Sequence, residues 1–485
     1  MPQPLSTLLA GLDVKQHIGP SNGQVQAITF DSRQVHRGTL FVAMRGTRVD
    51  GHQYIPQAIE AGSSVIVCET LPATLLPNII YVVVSNSAQA LGVIASNFYD
   101  NPSKKLRLVA VTGTNGKTST VNLLAGLFRR LGYRVGLCST IQNQIDQQTL
   151  PATHTTPDAV QLNTLLAQMV AQGCQYCFME ASSHAIVQHR MAGLQLTGAV
   201  FLNITHDHLD YHGTFDAYIQ AKKQLFDQLP ASAFALTNLD DKRGIVMTQN
   251  TLATTYGFAL KTPAPFTAKL LSNTIHGLEL RIDGCTAWFQ LVGAFNAYNL
   301  LATYATARLL GVEVHTALTA LSALPPIAGR FQRFHAPTGF EAIVDYAHTP
   351  DALQSVLTTI NSLKNKATKV ITVVGCGGNR DPQKRPQMAQ IACKYSDRVI
   401  FTADNPRNEA PEAIIQDMQR GLSRTRQRQT LTIIDRAEAI KTACQLAQPH
   451  DIVLIAGKGH ETYQEIQGKR YPFDDWEVLQ QVLCS

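Results

Sequence analysis

Apolar positions along this chain cluster into short blocks. Their spacing alternates between a strand-like and a helix-like period. In the first hundred residues, Thr39-Leu-Phe-Val-Ala43, Ser64-Val-Ile-Val-Cys68 and Ile80-Tyr-Val-Val-Val84 are apolar runs bounded by turn residues, which predicts strands. A helix over Ser87 to Phe98 follows and ends near Asn101-Pro102, a boundary signal. Leu106-Arg-Leu-Val-Ala-Val111 then predicts a strand, Val121 to Leu131 a helix and Tyr133-Arg-Val-Gly-Leu137 the next strand. That order is the unit of a parallel sheet, because parallel neighbours need a crossover helix. It continues through Tyr176-Cys-Phe-Met-Glu180 and Gly198-Ala-Val-Phe-Leu202 to a helix around Asn296 to Leu310.

A second break falls near Pro325-Pro326 and Gly329-Arg330. Beyond it, strands are predicted at Glu341 to Asp345, Lys369 to Val374, Arg398 to Thr402, Leu431 to Ile434 and Asp451 to Ile455. These imply a Rossmann-like α/β unit, but without GxGxxG after its first strand, so no dinucleotide is implied. The expected architecture is α/β with three domains. Residues 1–104 form a smaller N-terminal α/β domain, 105–331 a central P-loop parallel-sheet domain and 332–485 the Rossmann-like domain. The length of 485 residues agrees with three domains.

Composition narrows the class. Apolar residues make up 45% and charged residues 16%, as in a globular protein. The net charge of +6 is dispersed without a run of five like charges, so no nucleic-acid arm is expected and an anionic small substrate is suited. Met1 to Leu12 does not read as a signal peptide, and no 18-residue apolar stretch predicts a membrane span. Nine scattered cysteines fit a reducing cytoplasm. Cys174 and Cys177 form one CxxC, a redox motif in one reading and two small apolar side chains entering a buried strand in the plainer one.

The chemistry starts at Thr112-Gly113-Thr114-Asn115-Gly116-Lys117-Thr118, between a predicted strand and a predicted helix. Such a turn lets backbone N–H groups converge on phosphates at a helix N-terminus. Lys117 can reach the β- and γ-phosphates of ATP, and Thr118, with Ser119 beside it, can offer a hydroxyl to Mg²⁺. The general GxxxxGK[ST] pattern would place glycine at 111, where this chain has Val111, so the loop is a shortened variant.

This loop resembles that of the Mur ligase family, and further motifs extend the resemblance from about residue 31 to 475. They are Glu180-Ala-Ser-Ser-His184 with Gln188-His-Arg190, Asn203-Ile-Thr-His-Asp-His-Leu-Asp-Tyr-His212 and Tyr218-Ile-Gln-Ala-Lys222. Gly293-Ala-Phe-Asn296-Ala-Tyr-Asn299, Gly329-Arg330-Phe331 and Asp345-Tyr-Ala-His-Thr-Pro350 follow in family order. Asp31-Ser-Arg33 and Gly457-Lys-Gly-His-Glu461 resemble the branch that adds the third stem-peptide residue of peptidoglycan precursors. Asp404-Asn-Pro-Arg407 resembles the signature of members using meso-diaminopimelate.

The resemblance implies ATP-dependent amide formation on a UDP-N-acetylmuramoyl dipeptide through an acyl phosphate, by a cytoplasmic monomer. It implies that Glu180 and His208 hold a second Mg²⁺. Spacing alone would also allow zinc or a hydrogen-bonded turn for the histidine-rich segment. It further implies that Lys222 is carbamylated to support magnesium, which requires a neutral amine. Asn296, Arg330 and Asp345 would contact adenine, ribose or phosphate. Phe30, Ser32, Thr47, Arg48 and Val49 would meet the uridine end. His154, Thr155, Thr156, Ser182, Gln188 and Arg190 would line the sugar-peptide path. Arg380, Asp404, Asn405, Pro406, Arg407, Gly457 and Glu461 would form the diaminopimelate pocket, with Arg407 on the far carboxylate and Glu461 on an ammonium. Asn379 departs from the acidic residue expected there. A folylpolyglutamate-type ligase and a non-catalytic nucleotide-binding module remain as alternatives.

Overall fold

The computed structural model describes residues 2–20, 22–46, 49–152 and 154–484. Thr47 and Arg48, expected at the uridine end, lie outside the described residues. Three larger sheets carry the chain. The N-terminal sheet has five strands in the order Val14–Ile18, Ile80–Val84, Val65–Cys68, Thr39–Val42, Ala27–Thr29, all parallel except the first. Apolar clusters cover both its faces, which is why its strands read as continuous apolar runs. The helix Ser87–Phe98 starts at Asn86, whose side chain accepts from Gln89 N–H.

The central sheet has eleven strands. Arg107–Thr112 runs parallel to its neighbours Tyr176–Glu180 and Gly198–Phe201. Val135–Cys138 lies beyond the first neighbour, and Phe234–Asn238 and Thr254–Ala259 beyond the second. The long helices Lys117–Arg130 and Ala294–Leu309 pack on one face, with the apolar residues of Ala159–Ala171 and Phe215–Asp227 on the other. The parallel core of this sheet is extended by antiparallel strands at both ends. A hairpin of Gln142–Ile145 and Gln148–Pro151 is antiparallel, as is the meander Phe266–Thr274, Gly277–Ile282, Cys285–Phe289. The meander buries alternate residues and breaks register between Leu270 and Ser272, so it lacks the continuous apolar runs that marked the inner strands.

The third sheet has the order Gln332–His335, Glu341–Asp345, Ile452–Ala456, Val370–Val374, Arg398–Phe401, Thr430–Thr432, with only the first pairing antiparallel. Its two faces are again both apolar. Cys174 and Cys177 are buried free thiols beside Cys138. A hydrogen bond with Cys138 and burial both raise the Cys177 thiol, so the pair is core and not a reactive motif. Among the described residues, no helix is long and apolar enough to cross a membrane.

Candidate active site

The site lies where the C-terminal ends of the central strands meet the third sheet, the end at which open α/β sheets bind ligands. Strand Arg107–Thr112 is apolar and buried after its first residue, which fixes the loop that follows. Gly116 has φ +88, and a Cβ there would stand 2.4 Å from Asn299 Oδ1, so no other residue fits. Asn299 donates to Asn296 Oδ1 at 2.9 Å, and Asn296 donates to Val292 O at 2.8 Å. Asn203 staples the loop from the other side, accepting from Asn115 N–H at 2.9 Å and donating to Asn115 O at 3.0 Å. Thr114 meets the Tyr218 hydroxyl at 3.1 Å. The helix Lys117–Arg130 has no side-chain cap, so its first N–H groups are open to an anion.

Two lysines converge on this loop. Lys117 Nζ donates to Gly113 O at 2.8 Å and Thr114 O at 2.9 Å. Lys222 Nζ donates to the same Gly113 O at 3.0 Å and to Thr112 Oγ1 at 3.4 Å. Lys222 is 1% exposed and forms no ion pair among the described residues. Burial, then repulsion by Lys117, holds its amine well below the usual lysine range, against the pull of Asp207. Burial lowers Lys117 as well.

Glu180 ends strand Tyr176–Glu180 and is fully buried. Its oxygens accept from Thr140 N–H at 2.7 Å and the Thr140 hydroxyl at 3.1 Å, with no ion pair among the described residues. His208 sits at φ +55 before the short helix Leu209–His212, its ring 4.9 Å from that of His184. Burial pushes its imidazole down to about 3 despite Asp207. Among the described residues, no three His, Cys, Asp or Glu side chains are grouped to hold a metal, so the histidine-rich turn lacks the closed ligand set of structural zinc.

The third sheet reaches this group through Arg330. Its Nη2 donates to Thr118 Oγ1 at 3.0 Å, and the guanidinium lies 4.5 Å from the Tyr346 ring centre. Its buried Nε has no hydrogen-bond partner among the described residues. Asp345 is occupied by backbone, accepting from Phe331 N–H at 2.7 Å and Ala347 N–H at 2.8 Å. Burial raises its carboxyl, with Arg330 opposing. Asp345 thus closes the turn that presents Arg330. Replacing Arg330 with methionine is expected to raise the KM for ATP about tenfold or more, the scale of one charged hydrogen bond, in steady-state phosphate release. An unchanged KM for ATP would remove Arg330 from the nucleotide site.

Thr155, Thr156, Ser182, Gln188 and Arg190 come together beside Glu180. Arg190 donates to Thr156 O at 2.7 Å and, through Nε and Nη2, to Gln188 Oε1 at 3.0 and 2.6 Å. Thr156 Oγ1 donates to Glu180 O at 2.8 Å and stands 3.5 Å from Ser182 Oγ, and Thr155 meets Thr140 at 3.1 Å. Burial, then Arg190, lowers the nearby His154. Ser32 donates to Gln57 at 3.2 Å within the N-terminal unit, while Phe30 and Val49 are exposed. Asn86 links that unit to His189 of the central one at 3.2 Å.

In the third unit, loops after adjacent strands form a charged cleft. Arg407, at φ +51 beside Pro406, donates from Nη1 to Gly378 O at 2.8 Å and lies 3.4 Å from Glu465. A Cβ on Gly377 would stand 2.9 Å from Arg407 Nη1 and 3.8 Å from Arg380 Cγ, so both arginines flank one glycine. Asn405 donates to Glu461 at 2.8 Å and accepts from Lys458 at 3.2 Å. Glu461 shares one oxygen, Oε2, with buried Lys458, which donates to it at 2.9 Å. Asn379 holds φ +52, which asparagine tolerates, and its Oδ1 accepts from Asn408 N–H at 3.0 Å. An aspartate there would add charge beside Glu409, which already accepts from Asn379 N–H at 2.5 Å. Arg385 grips Glu409 at 2.8 Å and Asp417 at 2.9 Å, tying the two loops together.

The chain belongs to the Mur ligase family. Its middle-domain profile matches residues 111–307, the glutamate ligase domain 329–459 and the family's catalytic domain 24–99. The UDP-N-acetylmuramoyl-L-alanyl-D-glutamate–2,6-diaminopimelate ligase of Cytophaga hutchinsonii is 57% identical over 466 residues, covering 96% of both chains. That of Phocaeicola vulgatus is 50% identical over 99% of each. A solved structure of such a ligase superposes with TM-score 0.70 at 32% identity, over 100% of this chain and 99% of that one. A folylpolyglutamate synthase from Thermotoga maritima shares the fold at TM-score 0.58 and 15% identity, covering 77% of this chain and 90% of that one.

Several residues at the site carry no role in the sequence reading. Asn203, Asp207, Tyr218, Tyr346, His348 and Lys458 all stand inside quoted motifs, so their signal was present. Thr140, Lys384, Arg385 and Arg436 stand outside them. Lys384 donates to His348 O at 3.1 Å, which only the folded loops could reveal.

Proposed function

We propose that this protein is an ATP-dependent ligase that joins meso-diaminopimelate to UDP-N-acetylmuramoyl-L-alanyl-D-glutamate, in peptidoglycan precursor synthesis. The observation that carries the reading is one continuous site. Arg330 of the third unit donates to Thr118 of the phosphate loop, whose strand is flanked by the one that ends in Glu180, and the two arginines lie on loops of that same third unit. In this reading the D-glutamate carboxylate attacks the γ-phosphorus of ATP, the bond to the β-phosphate breaks and ADP leaves. The resulting acyl phosphate is attacked by the amine, and phosphate leaves. Catalysis is mainly positioning and charge stabilisation, supplied by Lys117, the helix N-terminus and Arg330.

The residues fit a magnesium ion. Glu180 is a buried carboxylate with no ion pair among the described residues, His208 is a neutral imidazole and Thr118 offers a hydroxyl, few enough protein ligands to leave places for phosphate oxygens and water. Thr118, Glu180, His208 and a carbamylated Lys222 would hold Mg²⁺, which would neutralise phosphate charge. Carbamylation fits because Lys222 is buried with a depressed amine beside a second cation.

The chain works as a cytoplasmic monomer in this reading. Phosphate release from ATP is expected only when both the UDP-sugar dipeptide and meso-diaminopimelate are present. Release with a folate and glutamate would support a folylpolyglutamate ligase instead. Nucleotide binding with no release under either condition would leave a binding module.

A further inference from the structure

The C-terminal helix Asp475–Cys484 reaches the amino-acid cleft through one buried ion pair. Arg436 and Asp475 both have side chains with no exposure. Arg436 Nε and Nη2 donate to the two Asp475 oxygens at 2.7 Å each, and Nη2 also donates to Ala456 O at 3.1 Å. Nη1 is buried with no hydrogen-bond partner among the described residues.

The other side of Arg436 faces the cleft. Ala456 is the last residue of its strand, and Gly457 follows at φ +120. A Cβ on Gly457 would stand 2.6 Å from Asp404 Oδ2 and 4.0 Å from Arg436 Nη2. One bare glycine therefore separates the guanidinium from the Asp404 carboxylate. Asp404 is 7% exposed, and its backbone carbonyl accepts from Gln464 at 2.7 Å. Next to it, Lys458 bridges Asn405 and Glu461. The group holds three carboxylates (Asp475, Asp404, Glu461) against two cations (Arg436, Lys458). Around the Gly457 turn, before Arg380 and Arg407 farther along the cleft are counted, the carboxylates exceed the cations by one, which suits an ammonium docking at that end.

We infer that Arg436 is a positioning residue of the amino-acid cleft: anchored by Asp475 on the C-terminal helix, it holds the Asp404 carboxylate and the Gly457 turn where the ammonium of the incoming amino acid docks. Asp475 fixes the fork from one side, and the fork fixes the Ala456 carbonyl and faces Asp404 on the other. The C-terminal helix is thereby part of acceptor recognition without touching the acceptor. The inference rests on the acceptor cleft proposed above.

The test is steady-state phosphate release by the full-length enzyme, with separate KM values for meso-diaminopimelate, ATP and the UDP-sugar dipeptide, and a thermal midpoint for each variant. Arg436→Met leaves Asp475 buried and unpaired, so it is expected to lower the midpoint and raise the amino-acid KM. The double variant Arg436→Met with Asp475→Leu removes both charges and is expected to recover the midpoint, since replacing a whole buried pair is tolerated. Its amino-acid KM is expected to stay about tenfold above that of the unmodified enzyme, the scale for losing an outer partner that orients a binding group, with the other KM values within about twofold. An amino-acid KM restored along with the midpoint would overturn the inference, as would all three KM values rising together. Should the double variant fail to fold, Arg436→Lys keeps the charge without the fork. A several-fold rise in the amino-acid KM alone then supports positioning, and an unchanged value overturns it. Absence of diaminopimelate-dependent release in the unmodified enzyme would instead overturn the acceptor reading itself.

Discussion

Replacing Lys222 with alanine is expected to lower kcat by about 10² to 10³-fold, the range for losing one group that stabilises developing charge. Added acetate or another short carboxylate is expected to restore part of the loss. The physical case begins with two ammonium groups on one carbonyl oxygen, Gly113 O, one of them fully buried. Such an arrangement favours the neutral amine at Lys222. A neutral amine takes up carbon dioxide, forming an N–C bond and releasing a proton, and the product is an anion. The two like charges become an opposite pair beside the phosphate loop. The neutral fraction grows as pH rises through the folded-state pKa. Because that pKa is depressed, the window lies below the usual lysine range. Isotope-labelled carbon dioxide should accordingly mark Lys222, read by mass spectrometry or carbon NMR. Full activity in the alanine variant, without rescue, would sink the idea.

Arg407→Ala is the second large effect, with kcat/KM for meso-diaminopimelate falling about 10²-fold while lysine use changes little. Diaminopimelate exceeds lysine by one carboxylate, and a guanidinium fork is the group that binds it with two hydrogen bonds. Arg407 is held firmly in place. Its backbone is pinned by bonds with Glu465 and Gln467, Nη1 rests on Gly378 O, and Nη2 makes no hydrogen bond among the described residues. Lysine brings only an ammonium to that end, where Arg380 and Arg407 would repel it. Competition between the two amino acids in one assay reads the selectivity directly. Retention of full preference for diaminopimelate would contradict the assignment.

Much of this site was legible before folding. Gly116 had to be glycine for the turn, Lys117 had to follow it, and Lys222 was singled out from Lys223 by its motif. Lys222 then proves buried on the loop, while Lys223 pairs with Asp227 at 2.6 Å. Glu461 shows the limit. Its motif implied an ammonium partner and could not show that Lys458, three residues earlier, folds back onto one of its oxygens. Arg436 shows it more strongly. Its partner Asp475 is 39 residues away, across a strand and a hairpin, and nothing local marks either as buried. The meander at 266–289 was missed for a related reason. Its one-sided burial depends on the helices that cover it, whereas strands buried on both faces announce themselves.

The sequence by itself determined the elements and the local chemistry. Periodicity set the parallel strands, glycine set the phosphate turn, and motif order set the family. Those properties depend on residues close in the chain, whose φ/ψ limits and side-chain spacing need no distant partner. Only the tertiary structure decided which charges are compensated. Arg330 lies on Thr118 from 212 residues away, Lys222 meets Lys117 over Gly113, and Asp475 holds Arg436 behind the Gly457 turn. Charge interactions depend on distance and burial in three dimensions, and both are fixed only when the sheets pack.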